Sequence, residues 1–245
     1  MSFANRAVLV TGAASGIGLA TTQHLAAHGA ARLVLVDRDR EKLAQAEVLC
    51  AAERLEGDVA DPLLWERAQL GRLDHAVIAA GVAGVAPVTD SSFAEWRRVL
   101  SANLDGAFLA LQAALRAIRD GGSIVCVAST ASFKAEPGIA AYAASKAGLI
   151  QLARVAAKEH SARKVRVNVI APGGTETPLW ESPEFNARAA EIGRDQAFAE
   201  IAAHGTPPGR FAKPEEIAGQ IAFLLSDAAA TITGSVLVSD GGYLL

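Results

Sequence analysis

AVLVTGAASGIGLATTQHLAAH, residues 7–28, joins a short apolar run, a glycine-rich turn and a helical pattern in that order. Residues 7–10 read as a buried strand, and residues 17–28 repeat apolar side chains at helical spacing. Between the two, Gly12, Gly16 and Gly18 leave the backbone bare. Such a turn lets a pyrophosphate reach main-chain N–H groups, here those around Ser15, Gly16 and Ile17, at the positive end of a helix dipole. The spacing is G-x3-G-x-G rather than the G-x-G-x-x-G of the usual dinucleotide fingerprint, so a plain turn is the competing reading.

The remainder of the chain continues the same alternation. Strand-like runs occupy residues 32–36, 54–56, 75–79, 123–127, 165–170 and 236–238, and helical patterns cover approximately 40–50, 62–69, 93–118, 142–161 and 214–225. Strands that alternate with helices predict an α/β fold: a single-domain, doubly wound parallel sheet of about seven strands with helices on both faces. A chain of 245 residues with 51% hydrophobic and 20% charged residues is long enough for one large core. No internal repeat, low-complexity tract or linker divides it.

The second strand ends on Asp37. A carboxylate there accepts hydrogen bonds from an adenosine ribose and repels a 2′-phosphate, which favours NAD over NADP. Arg38 beside it is able to turn toward a 2′-phosphate, or simply opens the next helix in solvent. Later in the chain, STASFKAEPGIAAYAASK spans residues 129–146 and holds a hydroxyl at Ser129, a phenol at Tyr142 and an amine at Lys146. Tyr142 and Lys146 share a helix face, and an ammonium beside a phenol lowers its pKa toward neutrality, making Tyr142 a candidate general acid/base. Pro137-Gly138 turns the chain just ahead of that helix.

In their order and spacing these segments resemble the short-chain dehydrogenase/reductase family over essentially the whole length. The matching residues are 11–18, Asp37, Asp58-Val59, Ala80-Gly81, Asn103, Ser129, Tyr142 with Lys146, Pro172-Gly173 and the terminal 240–242, with an interval of thirteen from Ser129 to Tyr142. The resemblance implies a Rossmann-type fold and hydride transfer between NAD and a secondary alcohol or ketone. Asp58, Val59, Ala80 and Gly81 would then flank the adenosine. Ser129 orients the substrate oxygen, with Thr130 and Ser132 as nearby alternatives; Tyr142 moves the proton; and Lys146 lowers the tyrosine pKa while bonding the nicotinamide ribose. Asn103 completes a proton relay through a water. Its place inside a helical pattern suits a local kink, since asparagine is a poor helix former. Pro172, Gly173, Thr175 and Thr177 would surround the nicotinamide. Ala79 stands where the family commonly has an asparagine that ties the central strands together, which leaves that local hydrogen bonding without its usual donor.

The family's substrate-covering region corresponds to residues 178–208, whose apolar Leu179, Trp180, Phe185, Ile192, Phe198 and Ile201 suggest an amphipathic lid. Arg188 and Arg194 on it are read as solvated. With Val82, Phe133 and Trp180 placed near the pocket, a hydrophobic or cyclic substrate is expected. The formal net charge of −3, with 23 scattered Lys and Arg, gives no footprint for nucleic acid. The absence of a signal-peptide core or a long uncharged apolar run points away from a membrane and toward the cytoplasm. Cys50 and Cys126 supply no disulfide framework, and His24 and His28 lack the glutamate and third ligand of a zinc helix, so they read as surface residues and no metal is expected. Residues 107–118 and 143–157 are apolar on more than one face, and with the Leu244-Leu245 end they suggest a homotetramer of the kind common in the family. Two alternatives stay open: an NADPH-dependent reductase of carrier-bound 3-oxoacyl chains, and a non-catalytic dinucleotide sensor or scaffold.

Overall fold

The computed structural model describes residues 1–203 and 205–245; His204, inside the predicted lid range, lies outside the described residues. Seven parallel strands form one sheet: β1 Ala7–Thr11, β2 Arg32–Asp37, β3 Ala51–Glu56, β4 Leu73–Ile78, β5 Ile118–Val127, β6 Arg166–Pro172 and β7 Val236–Ser239, in the order β3-β2-β1-β4-β5-β6-β7. The strand order reverses between β1 and β4, and in such sheets a crevice opens at that point beyond the carboxyl ends of the strands.

Alternate strand residues feed two helical layers. Leu9, Val34, Ala76, Ile124 and Val167 face a core shared with α5 Gly106–Ala117 and α6 Ala140–Glu159. Val8, Val10, Leu33, Val77 and Val125 face the opposite core, shared with α1 Gly16–Ala27 and α9 Pro214–Leu225. Both faces of the sheet are covered, which is why its strands read as continuous apolar runs. No helix among the described residues is long and apolar enough to cross a membrane.

Several boundaries differ from the sequence expectation. Helix α2, Arg40–Gln45, ends well before residue 50 because Arg54 reaches from β3 to the Leu43 and Ala46 carbonyls at 3.0 and 2.8 Å, and the chain then enters β3 three residues earlier than predicted. Strand β5 begins at Ile118 rather than 123, with a register shift against β4 between Leu73 and His75. The helical pattern over 93–118 is divided into α4 Phe93–Leu100, a π-helical turn Ser101–Asp105, and α5. Asn103 sits in that turn, so the expected kink takes the form of a π bulge. The short α3, Pro62–Arg67, ends two residues before the expected 69.

At the opposite edge of the sheet from the crevice, His75 is buried and its Nδ1 lies 2.8 Å from Ser123 Oγ. Ser123 itself donates to the Leu225 carbonyl at 2.7 Å, so its oxygen is the acceptor and His75 is the neutral Nδ1–H tautomer. Burial, against the smaller pull of Asp74, pushes the imidazole from 6.5 down to about 4. Because the folded pKa lies below the unfolded one, the unfolded chain binds the extra proton. Stability is therefore full above about pH 6.5 and falls as pH drops toward 4, by up to about 3 kcal/mol. The wild type is expected to lose roughly 2 kcal/mol more than His75→Gln between pH 7 and pH 5 in urea unfolding. Equal losses in the two proteins would refute this.

Candidate active site

A cleft of about 860 Å³ runs along the carboxyl ends of the strands, from Asp37 at one end to Tyr142 and Lys146 at the other. Gly12, Ser15, Gly16, Ile17, Gly18, Asp37, Asp58, Val59, Ala80, Gly81, Ser129, Tyr142, Lys146, Pro172, Gly173, Thr175 and Thr177 all line it. The residues expected to be catalytic or cofactor-binding are therefore on this one surface, apart from Asn103, which stands behind it.

The glycine turn is built for close backbone approach. Gly12 adopts φ +67°, and a Cβ there would lie 2.9 Å from the Ala80 backbone. At Gly16, with φ +51°, a Cβ would stand 3.1 Å from Thr177 Cγ2, so the loop after β6 crosses directly over the turn after β1. Helix α1 starts here with no side-chain cap and no acidic residue in its first turn. By contrast α2, α3 and α4 are capped by Asp39, Asp61 and Ser92. An uncapped helix start offers its first-turn N–H groups and positive dipole to an anion, which fits a pyrophosphate. Asp37 accepts from Ala14 N and Asp39 N, both at 3.0 Å, which fixes its carboxylate at the mouth of the turn. Lys42 pairs with Asp39 at 3.0 Å, and it lines the same end together with Arg38. The strand-tying role left vacant at Ala79 is taken by Thr11, whose hydroxyl accepts from Ala79 N at 3.0 Å and Ala80 N at 3.2 Å.

At the other end, β5 delivers Ser129 to the crevice and the first turn of α6 presents Tyr142 on the same wall. Thr130 touches the cleft beside Ser129, with its side chain largely buried in the short turn that follows, whereas Ser132 does not line the cleft and its hydroxyl is buried without a partner. Lys146 is buried one turn on, its Nζ 5.7 Å from the Tyr142 ring centroid and donating to the Val127 carbonyl at 2.8 Å. The expected depression of the Tyr142 pKa is not what this geometry produces. Burial raises it, with the Ser129 hydroxyl opposing that rise. Burial likewise pushes Lys146 down to about 8. Desolvation penalises both charged forms, and the ammonium is turned toward a backbone carbonyl rather than the phenol oxygen.

Asn103 is fully buried, accepting from Val82 N at 2.7 Å while donating to the Val82 carbonyl at 2.9 Å and Ser145 Oγ at 3.1 Å. It clamps the loop after β4 onto α6. A Cβ on Gly81 would lie 3.2 Å from Asn103 Oδ1 and 3.3 Å from Lys146 Nζ, so the amide and the ammonium flank the same glycine.

Residues from 178 onward border the cleft as well. Leu179, Trp180 and Ile201 line the cleft, whereas Phe185 and Phe198 of α7 Pro183–Ile192 and α8 Arg194–Ala202 pack with Phe211 into a small core of their own. Arg188 and Arg194 are not simply solvated: Arg188 pairs with Glu200 at 2.7 Å and Glu191 at 3.0 Å, and Arg194 pairs with Glu181 while lying over the Phe198 ring. Val82 and Trp180 lie on the cleft as expected, but Phe133 does not. The turn after Ser129 directs it outward, half exposed, and brings Lys134 to the cleft instead. Sequence reading also misses Glu136 and Tyr243, which meet there from distant parts of the chain. His24 and His28 stack at 4.1 Å, with His24 half-buried rather than on the surface.

A profile for the family described as "Enoyl-(Acyl carrier protein) reductase" matches residues 12–244. The chain is 39% identical to the cis-4-hydroxycyclohexanecarboxylate dehydrogenase of Sinomonas cyclohexanicum, across 99% of this chain and 98% of that protein. It is 37% identical to the 3-oxoacyl-acyl-carrier-protein reductase of Thermotoga maritima over the full length of both. Among solved structures, levodione reductase superimposes with a TM-score of 0.87 at 34% identity, over 98% of each chain. On the fold, the cleft and these full-length likenesses together, the chain belongs to the short-chain dehydrogenase/reductase family and is an oxidoreductase.

Proposed function

We propose that this enzyme interconverts a secondary alcohol and a ketone with NAD(H), on a cyclic or largely apolar substrate. The observation that carries the reading is the single cleft that joins Ser129, Tyr142 and Lys146 at one end to the glycine turn and Asp37 at the other. The residues fit a dinucleotide: bare glycines where a Cβ would strike backbone, an uncapped helix start, and a cleft within the size range of cofactor sites. Relatives whose names specify a hydroxycyclohexanecarboxylate and levodione support the substrate class.

In this reading Gly12, Ser15, Gly16, Ile17 and Gly18 hold the pyrophosphate and Asp37 the adenosine ribose, with Asp58, Val59, Ala80 and Gly81 along the adenosine. Pro172, Gly173, Thr175 and Thr177 surround the nicotinamide. When bound, the nicotinamide accepts or returns the hydride, and its oxidised form adds a positive charge that favours the Tyr142 phenolate. Tyr142 takes the alcohol proton in oxidation and gives it back in reduction; Ser129, on the same cleft wall, orients the reacting oxygen. Lys146 holds the nicotinamide ribose and, with Asn103 beside it at Gly81, passes the proton toward solvent. Residues 178–208 act as the substrate lid. The half-exposed Phe108 and Val155 on α5 and α6 support assembly as a homotetramer.

The second reading, an NADPH-dependent 3-oxoacyl-carrier-protein reductase, is favoured by the likeness to the Thermotoga maritima enzyme and by Arg38 and Lys42 at the ribose end of the cleft. Asp37 decides between the two. Replacing it by asparagine removes the charge that repels a 2′-phosphate, so the kcat/KM ratio for NAD over NADP is expected to fall at least about tenfold in Asp37→Asn. A wild type that prefers NADP would overturn the NAD assignment.

A further inference from the structure

The carboxyl-terminal segment closes the far wall of the substrate end. Asp240 caps the turn, accepting from Gly242 N at 2.9 Å and Leu244 N at 3.0 Å, and this carries Tyr243 back over the cleft. The Tyr243 ring lies on the lid side against Gly205, where a Cβ would stand 3.8 Å from it. Its hydroxyl donates to Glu136, on the loop that follows Ser129. Lys134 of the same loop places its ammonium 3.7 Å from the Tyr243 ring centroid. Three polar side chains from two distant stretches thus meet on the wall of the cleft.

The ammonium is oriented but incompletely bonded. Its contacts are the Tyr243 carbonyl at 3.4 Å and Glu136 Oε1 at 3.5 Å, both longer than the ~2.8 Å of a strong charged hydrogen bond. An ammonium has three N–H donors, and among the described residues these two long contacts and the Tyr243 ring leave this one, on a residue that lines the cleft, with no strong acceptor. Glu136 already balances its charge, which makes a neutral oxygen the better-matched partner than a second anion. Resting on the alcohol–ketone reading above, we infer that Lys134 is a specificity-determining residue: it donates a hydrogen bond to a hydroxyl or carbonyl oxygen on the substrate remote from the reacting carbon, with Tyr243 and Glu136 holding it in position.

The test is steady-state kinetics with NAD on two alcohols that differ only by such an oxygen, cyclohexanol and cyclohexane-1,4-diol, for wild type, Lys134→Met and Lys134→Arg. The wild type is expected to show a kcat/KM about tenfold higher for the diol, a modest factor because the Lys134 side chain is 42% exposed. Lys134→Met is expected to erase that preference through KM, and Lys134→Arg to retain part of it. A merely structural lysine would change both alcohols together, and an unchanged ratio in Lys134→Met overturns the inference. Failure of the wild type to oxidise either alcohol would overturn the alcohol–ketone reading itself.

Discussion

Tyr142→Phe is expected to lose about a thousandfold or more in kcat for NAD-linked alcohol oxidation while still folding and binding NAD. The substitution deletes one oxygen and keeps the ring, so its packing at the start of α6 is preserved. What goes is the phenol hydroxyl that lies in the cleft with Ser129 and is placed to exchange a proton. Proton transfer then has to be made by water, and general acid–base catalysis of this kind contributes about 10²–10⁴-fold. Cofactor titration by protein fluorescence, alongside turnover, separates the two effects. A variant with more than a tenth of wild-type kcat would show that the proton moves by another route.

Gly18→Ala is expected to abolish measurable dinucleotide binding and to lower stability by about 3 kcal/mol, or roughly 6–12 °C in Tm. A Cβ at Gly18 would stand 2.0 Å from the Gly12 carbonyl oxygen and 2.7 Å from its carbon. Both are backbone atoms of the turn itself, so relief requires α1 to move away from β1, and the anion site is formed by that junction. Gly219→Ala in α9 is the matched control. Nothing lies within 4 Å of its added Cβ, and the exchange is expected to stabilise the helix by up to about 1 kcal/mol. Equal effects of the two substitutions in thermal unfolding would remove the close-approach argument.

The strand–turn–helix of residues 7–28 was readable because a bare backbone and a helical period are local properties of the chain. Asp37, Ser129, Tyr142 and Lys146 were readable because each carries a distinct chemistry at a telling place or spacing. Features set by partners far away in sequence were not. Arg54 ends α2 from the neighbouring strand, shortening a helix whose own residues would allow it to continue. Asn103 suggested a kink, but its identity as a π turn depends on Val82 and Ser145 receiving the amide.

The direction of the Tyr142 shift was lost for a related reason. Spacing shows that the lysine shares its helix face, while the burial that opposes both charges, and the Val127 carbonyl that receives the ammonium, belong to the tertiary fold. Lys134 and Tyr243 are 109 positions apart, and only the return of the terminal segment over the cleft brings them together.

The most direct test is whether hydride leaves the carbon that bears the hydroxyl. The best-oxidised alcohol of a panel of cyclic secondary alcohols, deuterated at that carbon, would be incubated with enzyme and NAD, and the reduced cofactor analysed by mass spectrometry. Reduced NAD carrying one deuterium per turnover is the predicted result. Unlabelled reduced cofactor, or none with any member of the panel, would contradict the account.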